Sequence, residues 1–240
     1  MRLKIGRVAE IDIFLHWTYV FLPVYIVYRC RYEAQMPWPM VLVMLCLVCA
    51  LFLCVLMHEY GHALMARRYG IGTRDILITP IGGLARLDRM SSDPVQELMI
   101  TLAGPSVNLV IAVGLAIGLW FSGASVGLES RFEWGDVFGI LMWMNLALFL
   151  FNLLPAFPMD GGRVLRSVLA MMMPHHRATM IAGRIGQVLA ITFGGYAIGS
   201  RQYLLVLVSI FVFAAAQMEM RYSQALARGE IPPVGETLKP

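Results

Sequence analysis

The chain has 240 residues, of which 59% are apolar and 14% charged, with a mean hydropathy of +0.70 and a formal net charge of +4. Soluble domains carry about a quarter charged residues, so this composition excludes an ordinary water-soluble globule and points to an integral membrane protein. The basic excess does not imply nucleic-acid binding, because no basic helix or patch of interleaved cations and aromatics is present.

Crossing a bilayer takes about 20 residues of helix. Apolar spans of that order are expected near 13–28, 40–57, 95–121, 137–157, 180–199 and 203–217. Arg2, Lys4 and Arg7 precede the first, but no small-residue cleavage site follows, so it reads as an uncleaved helix. It carries His16 and Trp17 at its opening, where an interfacial role is expected, and Pro23 within it. Cys46, Cys49 and Cys54 lie inside the second span and read as small packing hydrophobes.

The second span ends in His58-Glu59-Tyr60-Gly61-His62. Residues four apart share a helix face, so an H-E-x-x-H sequence lets two imidazoles face one zinc while the glutamate beside them activates a water. Beyond it, 76–87 is rich in strand-forming residues, with Gly82-Gly83 as a hairpin signal. Pro80 lacks an N–H and argues for an edge strand. Such an edge could hold an extended substrate by strand addition or could serve as a plain connecting hairpin at the membrane surface.

The third span contains Gly104-Pro105 and Asn108. Small residues there suit a tight helix contact, and Asn108 is expected to bond a neighbouring helix and so to position a site without belonging to it. The fourth span runs into Asn152-Leu153-Leu154-Pro155-Ala156-Phe157-Pro158-Met159-Asp160-Gly161-Gly162-Arg163, where prolines and glycines stop a regular helix. Irregular backbone at membrane depth survives only where it is buried in protein or lines a wet cavity. A catalytic zinc takes three protein ligands, and Asp160 is the expected third. His16, His175, His176, Asp75, Asp88, Glu97 and Asp136 fall near helix ends or in polar loops and are set aside. The fifth span is interrupted by Gly183, Arg184 and Gly186.

With the N-terminus inside, fifteen of the 19 Lys and Arg residues fall on one side, leaving Arg29, Arg31, Arg131 and Arg201 on the other. Basic residues near membrane ends remain cytoplasmic, so this split favours six helices with both termini cytoplasmic. It also brings the ends of the second and fourth spans to the same side, where His58, His62 and Asp160 can meet. The expected fold is an all-α polytopic membrane protein of about six transmembrane helices, with a small membrane-associated β-hairpin or sheet after the second. Residues 1–220 form one transmembrane domain and 221–240 a short cytoplasmic tail.

Together the two motifs resemble those of the site-2 proteases, intramembrane zinc metalloproteases. His58 to His62 is similar to that family's H-E-x-x-H and Asn152 to Gly161 to its N-x-x-P-x-x-P-x-D-G, with weaker similarity at Gly104-Pro105, Asn108, 76–87 and His16-Trp17. The resemblance implies one zinc per chain held by His58, His62 and Asp160, with Glu59 as catalytic base and Asn152 steadying the substrate or the developing oxyanion. It implies a substrate that is a membrane-spanning protein, cut near the cytoplasmic face. The expected location is the cell membrane of a prokaryote, and the expected form is compact, with no room in these 240 residues for the PDZ or CBS domains of some relatives. Two other readings are a catalytically inactive membrane scaffold and a metal transporter. The absence of acids from the last two spans weighs against transport, which needs a polar route across the bilayer.

Overall fold

The computed structural model describes residues 2–79, 82–89, 91–123 and 134–230. The chain divides into two compact units, one of Met1–Leu87 with Ser106–Phe149 and one of Asp88–Pro105 with Leu150–Pro240.

The first unit opens with two antiparallel strands, β1 (Arg2–Val8) and β2 (Ile11–His16). Ala9 and Glu10 join them with φ of 50° and 68°, the two left-handed residues of a tight hairpin loop whose twist matches that of the strands. A short 3₁₀ turn (Trp17–Val20), α1 (Phe21–Val27) and a π-helical turn (Tyr28–Glu33) follow. The expected first span is therefore corrected: its opening residues are strand, and its helical part is three short runs. Ile11, Ile13 and Leu15 repeat every second residue, and a hydropathy window blind to period merges such a strand with the helix after it.

A 31-residue helix, α2 (Trp38–Arg68), leads to β3 (Thr73–Thr79) and β4 (Gly82–Leu87). The sheet order is β1-β2-β3-β4, with β2 parallel to β3 and the other pairs antiparallel. The expected hairpin is thus half of a four-stranded sheet. Gly82 and Gly83 belong to β4 rather than to a turn, pairing with Thr79 and Ile78, and Pro80 lies outside the described residues.

One face of the sheet packs on α2. Ile11, Ile13, Ile76 and Ile78 are buried with Ala63, and Phe52, Leu56 and Tyr60 pack against them. The strand residues alternate while the helix residues recur every three or four positions, so each element buries a single face. Ala63 is 1% exposed, and its small side chain lets the sheet lie close to the helix turn that carries the metal motif. The contact is pinned at its rim by the Tyr60 hydroxyl, which donates to the Val8 carbonyl at 3.0 Å, and by Arg67, which pairs with Glu10 at 2.9 Å. Within the sheet, Arg86 Nε donates to its cross-strand partner Asp75 at 2.6 Å, which fixes the register of β4 and raises the guanidinium above its ordinary pKa.

Helices α3 (Pro94–Ser122) and α4 (Trp134–Asn152) contribute residues to both units. The second unit is completed by α5 (Asp160–Ala170), α6 (His175–Gly199) and α7 (Tyr203–Ala227). Its core holds two clusters, one of Ala156 and Met159 with Ala190 and Val212, the other of Phe157 with Ala182 and Ala216. A Cβ on Gly183 would lie 2.5 Å from Met220 Cγ, so this glycine permits close helix packing. The fifth span, expected to be interrupted there, runs on as a continuous α6.

Among the described residues four helices, α2, α3, α6 and α7, are long and apolar enough to cross a membrane, and the described part of α4, Asp136–Asn152, is a shorter apolar helix. Large apolar side chains such as Ile191, Phe193, Leu204, Leu207 and Phe211 are exposed along α6 and α7. Such surface is unfavourable in water and suited to lipid. The protein is a multi-pass membrane protein.

Candidate metal centre

Helix α2 continues without a break through the H-E-x-x-H residues, so His58 and His62 project from one face one turn apart. Their Nε2 atoms stand 3.1 Å apart. Two nitrogens on a tetrahedral zinc at about 2.0–2.1 Å are separated by roughly 3.3 Å, so the pair has a spacing that suits one cation. The other ring nitrogen of buried His58, Nδ1, lies 2.6 Å from Asn108 Oδ1. Metal-binding imidazoles are commonly anchored in this way through the nitrogen that faces away from the metal. This donor set fits a zinc.

Glu59 is held beside the histidines by the sheet. The Ala85 N–H of β4 donates to Glu59 Oε2 at 2.8 Å, fixing one carboxylate oxygen. Gly83, on the same strand, makes room for the side chain: a Cβ there would stand 2.5 Å from Glu59 Cγ.

Asn108, on α3, does what was expected of it and reaches a neighbouring helix. Besides facing His58, it donates from Nδ2 to Asn145 Oδ1 on α4 at 3.0 Å. Both asparagines are fully buried. Asn145 was missed by sequence reasoning, although a carboxamide in the middle of an apolar span was signal enough, because a polar side chain there needs a partner.

Asp160 and Asn152 belong to the second unit. After Asn152 closes α4 the chain folds through tight turns, with Leu153 N–H to Leu150 O and Leu154 N–H to Phe151 O at 3.2 Å each and Ala156 N–H to Leu154 O at 2.7 Å. Met159 is extended and Asp160 is the first residue of α5, where a carboxylate is favoured by the helix dipole. The two glycines after it are steric requirements, since a Cβ at Gly161 would run into the Leu153 and Leu154 carbonyls and one at Gly162 would lie 2.8 Å from Ala156 C. Asn152 is half-buried.

The carboxylates set aside in the sequence have more to do than expected. Glu97 is 5% exposed and pairs with buried Arg166 of α5, which also reaches Glu219 at 2.5 Å and lies 5.4 Å from the centre of the Phe157 ring. His175, expected in a loop, begins α6 with Nε2 3.4 Å from Glu97. Asp75 is 7% exposed and holds Arg86.

A family model for peptidase family M50 matches residues 46–134 and 124–193, and so takes in both motifs. The chain is 33% identical over 219 residues to a zinc metalloprotease of Methanocaldococcus jannaschii, covering 91% of this chain and 60% of that one. A Synechocystis relative is 39% identical over 138 residues, which are 57% of this chain and 35% of its own. The chain thus spans less than two thirds of the length of these curated relatives. A solved site-2 protease from Methanocaldococcus jannaschii aligns over 92% of this chain and 95% of its own, with a TM-score of 0.65 and 33% identity. The metal motif on α2, the aspartate motif at the start of α5 and a family match that spans both lead to one assignment: the chain belongs to peptidase family M50, the site-2 protease family.

Proposed function

We propose that this protein is an intramembrane zinc metalloprotease that hydrolyses a peptide bond within or next to the transmembrane helix of another membrane protein, near the cytoplasmic face. The observation that carries the reading is the convergence of His58 Nε2 and His62 Nε2 at 3.1 Å beside Glu59. Asp160 is the third ligand in this reading. It is supported by the aspartate motif, which falls with the histidine motif inside the match to the family model.

When bound, zinc supplies Lewis acidity to the scissile carbonyl and to water. Glu59 moves the proton. With Oε2 engaged by the Ala85 N–H, Oε1 is left to accept a proton from the attacking water and to return it to the leaving nitrogen. A helical substrate hides its peptide bonds, so a segment must first unwind. Strand β4, at the edge of the sheet, offers main-chain groups to receive that segment in extended form. Asn152 steadies the substrate or the developing oxyanion.

The test is Glu59→Gln. The purified variant retains one zinc per chain, and cells carrying it accumulate membrane proteins that cells with the active form cleave. Continued cleavage by the variant removes Glu59 from this role, and a wild-type chain that carries no zinc removes the metal from the mechanism.

A further inference from the structure

We propose that Asn145 fixes the tautomer of His58, acting through Asn108, so that His58 presents its Nε2 lone pair to the metal. The inference rests on the metal-site reading above. It starts from a group whose polarity is not in question, the Leu141 main-chain carbonyl, which only accepts. Asn145 places its Nδ2 2.9 Å from that oxygen and 3.4 Å from Cys54 Sγ. An amide nitrogen alone can donate to a carbonyl, so the orientation of the Asn145 carboxamide is settled and its Oδ1 is the atom turned toward Asn108. That oxygen accepts only, so Asn108 must present Nδ2 to it, at 3.0 Å. Asn108 then faces His58 Nδ1 with Oδ1, at 2.6 Å. Once more the oxygen accepts only, so Nδ1 carries the hydrogen and Nε2 the lone pair.

Each step is forced by the one before. Both carboxamides are 0% exposed, and a buried amide turned away from its partners loses hydrogen bonds that no water replaces, so reversing one amide alone is disfavoured. Asn145 also touches α2 itself, because Cys54 lies one turn before His58 on that helix. An asparagine that merely held helices together would not depend on the direction of this chain of donors, and that direction is what the experiment reads.

Zinc affinity of the purified full chain, measured by competition with a chelator, is expected to fall about 10–100-fold in Asn145→Ala, as for other residues that orient a metal-bound histidine. Adding Asn108→Asp to Asn145→Ala restores it, because a carboxylate accepts from Nδ1 in either orientation and needs no partner to aim it. Unchanged affinity in Asn145→Ala overturns the proposal, and so does a double variant as weak as the single one, which would mark Asn145 as a packing residue. Asn145→Leu takes the place of Asn145→Ala if the latter is not recovered folded. Independently of any substitution at 145, ¹⁵N spectra of the metal-free wild-type protein show His58 protonated at Nδ1, and a dominant Nε2–H form overturns the proposal. A wild-type chain that binds no zinc sinks the metal-site reading instead, and the two failures are told apart by that control.

Discussion

At Gly83 one methyl group separates a working geometry from a displaced one. The position needs glycine for space, since a Cβ there would stand 2.5 Å from Glu59 Cγ, well inside contact distance. Glu59 cannot yield and keep its bond to the Ala85 N–H, so Gly83→Ala is expected to swing the carboxylate out of place. A positioned general base contributes about 10²–10⁴-fold to a rate, and the variant should lose cleavage of a membrane-spanning substrate within that range while its zinc content stays at the wild-type level. Gly118→Ala is the control, because nothing lies within 4 Å of a Cβ at that position. Equal cleavage by wild type and Gly83→Ala would separate β4 from the placement of Glu59.

At the scale of elements, α5 is tied to its surroundings by charge as well as by apolar contact. Arg166 projects from it into a buried site between Glu97 at the start of α3 and Glu219 on α7. Removing one member of a buried ion pair leaves the other charged and unpaired, at a cost of about 3–5 kcal/mol. Arg166→Met is therefore expected to lower stability by that amount in detergent, read as thermal unfolding, and adding Glu97→Gln should recover part of the loss. A double variant no more stable than the single one would show that the ion pair with Glu97 is not what Arg166 contributes. The same elements show what was legible in the sequence. Helices α2, α3, α6 and α7 were, because length and apolarity alone announce them. The H-E-x-x-H residues were legible because their chemistry depends on a spacing of four within one helix. Strands β1 and β2 were concealed by their place ahead of an apolar helix and by a turn at Ala9-Glu10, which takes positive φ at both residues without the Asn-Gly that usually marks it. Arg166, Glu97 and Asn145 find partners 53 or more, 69 and 37 residues away, and no local pattern predicts such pairings.

For the whole molecule, the number of crossings decides where the active residues open. Helices α2, α3, α6 and α7 have the length to span, while α4 and the helical run from Trp17 to Glu33 are shorter or broken. If that first run crosses the bilayer, the total is six and the chain begins and ends on one side. Pairing of β2 with β3 requires that it does, because this run and α2 lie between the two strands and a single crossing there would put them on opposite sides. The basic residues agree: fifteen of 19 collect on one face when six crossings are drawn, and each side chain near a membrane end adds to the cytoplasmic preference. Single cysteines at three positions test it, in a background with the four native cysteines replaced. Lys4→Cys on β1 and Arg228→Cys after α7 should react with a membrane-impermeant maleimide only in permeabilised cells, whereas Arg201→Cys, between α6 and α7, should react in intact ones. Labelling of position 4 in intact cells, with position 228 still protected, would mean that the first helical run does not cross.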